Sequence, residues 1–194
     1  MLWRKSLEAA MRGAVLAALG LFIFAGAAAW GQQKPPEPSG YRMSDYRGPT
    51  PATLAGARVV TTAQAAKLWK AGATFVDVLP HAPRPANLPP GTIWRDKTRM
   101  DIPGSIWLPD TGYGALAPVT EKYLGDGLAS ATRGDRTRWL VFYCMKDCWM
   151  SWNAAKRALS LGYKHVVWYP DGADGWRAAK LPLQEAKPAA ANAE

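Results

Sequence analysis

The sequence predicts an α/β domain in three layers, a central parallel sheet flanked by helices. Three observations carry this. Short apolar runs without polar alternation, bounded by turn residues, read as strands buried on both faces. Between them lie segments with helical spacing and their own start and stop signals. Once low-complexity stretches at either end are set aside, about 130 of the 194 residues remain, enough for one domain with a single core.

Arg58-Val59-Val60 is a short β-prone segment. Thr61 and Gln64 then form a Thr-x-x-Gln capping box; Ala65, Leu68 and Trp69 share one helical face, and Gly72 stops the helix. Thr74 to Leu79 is a buried strand, followed by a long polar, proline-rich loop and a short strand from Ser105 to Leu108. Glu121 to Ala131 is a weaker helix with Leu124 and Leu128 on one face. Trp139 to Tyr143 is the best-defined strand. Asn153 to Leu161 is helical, with Ala155, Ala158 and Leu159 facing inward and Gly162 just beyond its end. His165 to Tyr169 is the last strand, and Gly175 to Ala179 a short final helix.

Flanking segments set the organisation. Arg4, Lys5 and Arg12 precede an apolar run from Ala14 to Ala25, and Ala27-Ala28-Ala29 offers a cleavage site, so residues 1–29 read as a signal peptide. The apolar run is short for the ~20 residues a membrane span needs, and the chain would meet a membrane only through an uncleaved signal. Residues 30–57 read as an N-terminal extension or linker, with Tyr41 and Tyr46 available to dock on the domain. Residues 58–185 form the domain and 186–194 a disordered tail. A secretory leader, basic residues and only two cysteines suggest the periplasm of a Gram-negative bacterium, where a disulfide between the two can persist. The formal net charge is +9, falling by two to +7 without residues 1–29. Its basic residues are scattered rather than striped, which argues against nucleic acid; a basic exported domain favours anionic small molecules, acidic proteins or phospholipid surfaces.

Both cysteines lie in Phe142-Tyr143-Cys144-Met145-Lys146-Asp147-Cys148-Trp149-Met150-Ser151. A strand ends at Cys144 and a helix begins shortly after. Successive backbone N–H groups and the positive helix end therefore face the Cys144 sulfur and stabilise its thiolate. Cys148, four residues on, is a partner with which a short-range, reactive disulfide can form. Lys146 could hold an anion, Asp147 would oppose one, and Trp149 with Trp152 could form an aromatic lip over the site. Arg84, Arg95, Lys97 and Arg99 in the long loop offer it a positive rim. Two thiols and the scattered His81 and His165 lack the spacing of a metal site, and no cofactor is implied.

Thr74-Phe75-Val76-Asp77-Val78, Ile102-Pro103-Gly104-Ser105-Ile106-Trp107-Leu108-Pro109 and Phe142-Tyr143-Cys144 resemble the rhodanese domain, in that family's order. Leu161-Gly162-Tyr163-Lys164-His165-Val166 and Ala179-Lys180-Leu181-Pro182 extend the resemblance over roughly residues 58–183. The exported Cys-x-x-x-Cys-Trp loop further resembles the CXXCW motif proteins associated with PQQ-dependent catabolism, here with three residues between the cysteines. The resemblance implies sulfur transfer: Cys144 as the nucleophile that takes up sulfane sulfur, the N–H groups of Met145 to Met150 as its cradle, and Asp77 as a structural brace. Cys148 would resolve the persulfide or exchange disulfides with a partner. Met145, Lys146, Asp147, Trp149 and Met150 become the substrate-binding residues. The implied partners are a small anionic sulfur donor or a thiol, and a quinoprotein dehydrogenase or cytochrome c. Where the family's loop carries a glycine and an arginine, this chain has Asp147 or Cys148, and Trp149; Leu79 and Asp101 stand in place of an arginine and a histidine. The alternative is a non-catalytic module of the same fold that binds a quinoprotein dehydrogenase, its cytochrome or its cofactor.

Overall fold

A computed structural model describes residues 34–82, 85–93 and 98–190. The segment expected as a signal peptide, and Arg84, Arg95 and Lys97, lie outside the described residues. Five strands form one parallel sheet: β1 (Arg58–Val59), β2 (Thr74–Asp77), β4 (Ile106–Trp107), β5 (Trp139–Tyr143) and β6 (His165–Trp168), in the order β1-β6-β5-β2-β4. In the central strand β5, Leu140 and Phe142 point to one face and Val141 and Tyr143 to the other, as the two-residue period of a strand requires. All four are buried, and for that reason β5 reads as an uninterrupted apolar run.

Helices cover both faces. On one lie α2 (Pro118–Thr132), through Leu124 and Leu128, and α3 (Trp149–Ser160), through Trp152, Ala155 and Ala158. On the other lie α1 (Thr62–Lys70), through Ala65, and α4 (Gly172–Ala178), through Ala173 and Trp176. The expected three-layer α/β arrangement is thus present. The Thr61 capping box closes the start of α1 with both reciprocal bonds in place. The start of α2 lies three residues before the expected Glu121, with Pro118 at a first-turn position where its missing N–H costs nothing. Among the described residues, no helix is long and apolar enough to cross a membrane.

Two strands were not anticipated. β3 (Arg99–Asp101) and β7 (Gln184–Ala186) pair antiparallel beside the main sheet. Ala186 to Ala189, assigned to a disordered tail, instead follow a defined course: Ala186 pairs with Arg99, and the Ala189 N–H donates to the Trp107 carbonyl at 2.8 Å. Backbone hydrogen bonding, which needs no apolar pattern, holds this stretch.

The N-terminal extension packs along α3. Asn153 exchanges two 2.9 Å hydrogen bonds with the backbone of Arg42, and Trp152 Nε1 donates to the Thr53 carbonyl at 3.0 Å. Lys156 donates to the Ser39 carbonyl at 2.7 Å and lies 4.8 Å from the Trp152 ring centre. Tyr46 OH accepts the Gly114 N–H at 3.0 Å.

Candidate functional site

The site occupies the carboxyl end of β5, where parallel sheets place ligands. Cys144 follows the last residue of that strand, and Cys148 is the N-cap of α3. α3 begins four residues earlier than Asn153, the expected start; cysteine is not among the residues whose side chains ordinarily cap a helix, so the boundary carried no signal. The intervening turn needs a left-handed residue, and Asp147 supplies it with φ 52°, a conformation that aspartate tolerates better than most. Gly172 at the start of α4 closes the other side. A Cβ there would stand 2.6 Å from the Cys144 carbonyl oxygen, which accepts the Ala173 N–H at 2.9 Å.

The two cysteines are free thiols in different surroundings. Cys144 has no exposure and lies among the side chains between the sheet and α3. Its sulfur faces the Met145 and Cys148 carbonyl oxygens, at 3.7 and 3.6 Å. Burial pushes its pKa well above the ordinary thiol value, and the neighbouring Cys148 sulfur pushes the same way. Cys148 retains 3% exposure. The hydrogen bond it receives from the Cys144 thiol lowers its pKa to about 6, against the effect of burial; the Met150 N–H, the Arg47 charge and the Met145 N–H lower it further. No side-chain capping bond of full geometry forms, yet the N–H at the second position of α3 faces this sulfur.

The directions of these shifts favour a thiolate on Cys148 over one on Cys144, where the strand end was expected to put it. The N–H cradle is also smaller than Met145 to Met150. The Trp149 N–H is occupied by the Tyr46 carbonyl at 2.9 Å, and the Lys146 N–H by Asp174 Oδ2 at 3.1 Å. The expected substrate-binding side chains divide. Lys146 and Asp147 are exposed at the rim, Met145 is half-buried, and Trp149 and Met150 are buried under the N-terminal segment and Gly112. Trp149 and Trp152 form no lip: their rings meet edge to face at 5.6 Å inside the fold. The Arg42 guanidinium covers Trp149 at 5.2 Å.

A second polar group, unrecognised as a unit in the sequence, lies at the adjoining end of β2. Asp77 accepts the Leu79 N–H at 2.9 Å and Arg99 Nε at 2.6 Å. Arg99 also faces Asp101 at 3.5 Å, and the Tyr143 hydroxyl donates to Asp101. Burial, then the Asp77 charge, raises Asp101 to about 7. Arg99 Nη2 and Asp101 Oδ2 are buried without a hydrogen-bond partner. The Arg-x-Asp spacing, which puts both side chains on one face of a strand, was the available signal. A cavity of about 340 Å³ adjoins the group, its walls including Leu79, Arg99, Trp107, Met145 and Arg177. Of the expected basic rim, Arg99 lies in this wall. Among the described residues no set of three His, Cys, Asp or Glu side chains is placed to hold a metal.

No protein-family model and no curated protein matches the chain. Among solved structures, the fold is similar to a polysulfide-sulfur transferase homodimer from Wolinella succinogenes, with 17% identity, 67% of this chain and 80% of that one covered, and a TM-score of 0.42. It is also similar to an uncharacterized protein from Saccharomyces cerevisiae, with 21% identity, 66% of this chain and 98% of that one covered, and a TM-score of 0.39.

Proposed function

We propose that this chain is a rhodanese-like two-cysteine protein that transfers sulfur or exchanges thiols and disulfides through Cys148 and Cys144. One observation carries the reading: two free cysteines meet at the junction of β5 and α3, and their surroundings shift the two pKa values in opposite directions. The order of roles is the reverse of what the family resemblance implied. The Cys148 thiolate attacks the outer sulfur of an anionic donor such as thiosulfate. A Cys148 persulfide bond forms, the donor's S–S bond breaks, and the electron pair leaves with sulfite. An external thiolate then takes the outer sulfur. Alternatively Cys144, on losing its proton, attacks the inner sulfur of Cys148, and hydrosulfide leaves as the Cys144–Cys148 disulfide forms. A dithiol partner supplies the two electrons that restore the pair.

The same proposal places the protein in the periplasm, serving PQQ-dependent alcohol catabolism beside a quinoprotein dehydrogenase or its cytochrome c. That part rests on the leader-like residues 1–29 and on the Cys-x-x-x-Cys-Trp loop. The non-catalytic module would have drawn support from an exposed tryptophan lip; with Trp149 and Trp152 buried, that support is gone.

Intact mass of the reduced chain after exposure to thiosulfate or polysulfide tests the reading. The expected result is a gain of one sulfur atom on the Cys148 peptide, absent in Cys148→Ser. No gain from either donor, with thiols that still alkylate, would overturn it.

A further inference from the structure

We propose that Arg47 is a positioning residue for the Cys148 sulfur, supplying from the N-terminal segment the positive charge that the cysteine loop lacks in its helix-entry position. The inference rests on the two-cysteine reading above and assigns a role to a segment outside the expected domain.

The argument is geometric. Arg47 and Cys148 are partners in an isolated antiparallel bridge. Its hydrogen bonds run from Gly48 N to the Asp147 carbonyl and from Trp149 N to the Tyr46 carbonyl, both at 2.9 Å. They flank the pair rather than join it, so Arg47 and Cys148 form a non-hydrogen-bonded pair, the closer of the two antiparallel kinds, with Cα atoms about 4.5 Å apart. Directly opposed residues project to the same face, which puts the guanidinium stem and the sulfur side by side. The pairing is anchored well away from the loop, through Asn153 and Lys156 of α3.

Other groups around the sulfur do not supply this charge. Just beyond β5 the Cys144 thiol donates a neutral hydrogen bond, and Asp77 of β2 acts on Cys144 instead. Tyr113, near Cys148, has its pKa raised by burial and is a neutral phenol at physiological pH. In α4, Asp174 is held by the Lys146 N–H and by Arg177 at 3.3 Å. Within the loop Lys146 and Asp147 are adjacent, opposite and exposed. Arg42 is stacked on Trp149.

The side chain of Arg47 is exposed, so solvent screens its field. A cation about 5 Å away in water-like surroundings displaces a thiol pKa by roughly half a unit to one unit. The test is the pH profile of Cys148 alkylation by iodoacetamide in the reduced full chain, read at the peptide level. Arg47→Gln keeps the backbone bridge and is expected to raise the midpoint by roughly half a unit to one unit, and to slow modification at pH 6 about two- to fivefold. Arg47→Lys should restore it. Raising salt to about 1 M should move the native midpoint upward and leave Arg47→Gln unmoved. An unchanged midpoint in Arg47→Gln, or a native midpoint indifferent to salt, would overturn the assignment. Failure of sulfur uptake in a chain whose midpoint responds to Arg47 and salt as described overturns the proposed function and leaves the role of Arg47 standing.

Discussion

Cys144 and Cys148 are the same residue four positions apart, and the fold treats them oppositely. Cys144, at the strand end, is sealed between the sheet and α3, where burial outweighs the hydrogen bond from Ser151 that favours a negative charge, so its proton is held tightly. Cys148, at the helix start, meets a donated thiol, two backbone N–H groups and a cross-strand arginine, and its proton is held loosely. The difference teaches that a strand–helix junction alone does not choose a nucleophile. Burial opposes the charged form at both sites, and only at Cys148 do enough donors converge to outweigh it.

The largest way to break this comparison is to remove one sulfur at a time. Burial pushes the Cys144 pKa well above the ordinary thiol value, so this sulfur stays protonated at neutral pH. Cys148→Ser should therefore lower sulfur uptake by about a hundredfold or more, while Cys144→Ser still takes up sulfur on Cys148 and loses only the step that closes the disulfide. Uptake rates by mass spectrometry distinguish the two variants.

A smaller effect comes from disturbing the wall behind Cys144. Gly172→Ala places a methyl group against the Cys144 carbonyl at a residue with φ 52°, and should cost about 2–4 kcal/mol, read as a shift in denaturant midpoint. Ser151→Ala acts on the same side. It leaves the buried Trp168 Nε1 without the hydroxyl it now reaches at 3.1 Å, at a cost of about 1–2 kcal/mol by the same measurement.

The neighbouring carboxylate cluster sharpens the comparison by its sign. Asp101 keeps its proton to about pH 7 in the folded chain and to 3.8 ordinarily, so the folded state binds more protons between those values. Its contribution to stability is therefore present at low pH and lost as pH rises through that window. Cys148 acts in the opposite direction above about pH 6, where its folded-state thiolate gains on the unfolded thiol. Melting temperatures between pH 4 and 6 should show a downward contribution in the native chain that Asp101→Asn removes. An identical slope in both would show that Asp101 is ionised throughout.

How much of this was legible depends on what each residue needed. β5 was read to its ends, because a strand buried on both faces must be apolar throughout. The capping box of α1 was legible because its chemistry is local to four residues. β3 and β7 were not, since Arg99-Met100-Asp101 and Gln184-Glu185-Ala186 carry no apolar alternation and find each other across more than eighty residues. Arg47 was invisible for a similar reason: it lies in a proline- and glycine-rich stretch, and its meaning comes from the backbone bridge to Cys148. The cysteine loop itself was legible as a site. Which sulfur ionises was not, because that depends on how completely α3 covers Cys144, a property of packing and not of spacing.

Residue-resolved alkylation of the reduced, folded chain between pH 5 and 9 tests the central claim most directly. The account predicts that Cys148 is modified first, with a midpoint near 6, and that Cys144 stays unmodified until the chain unfolds. Modification of Cys144 ahead of Cys148 would contradict it.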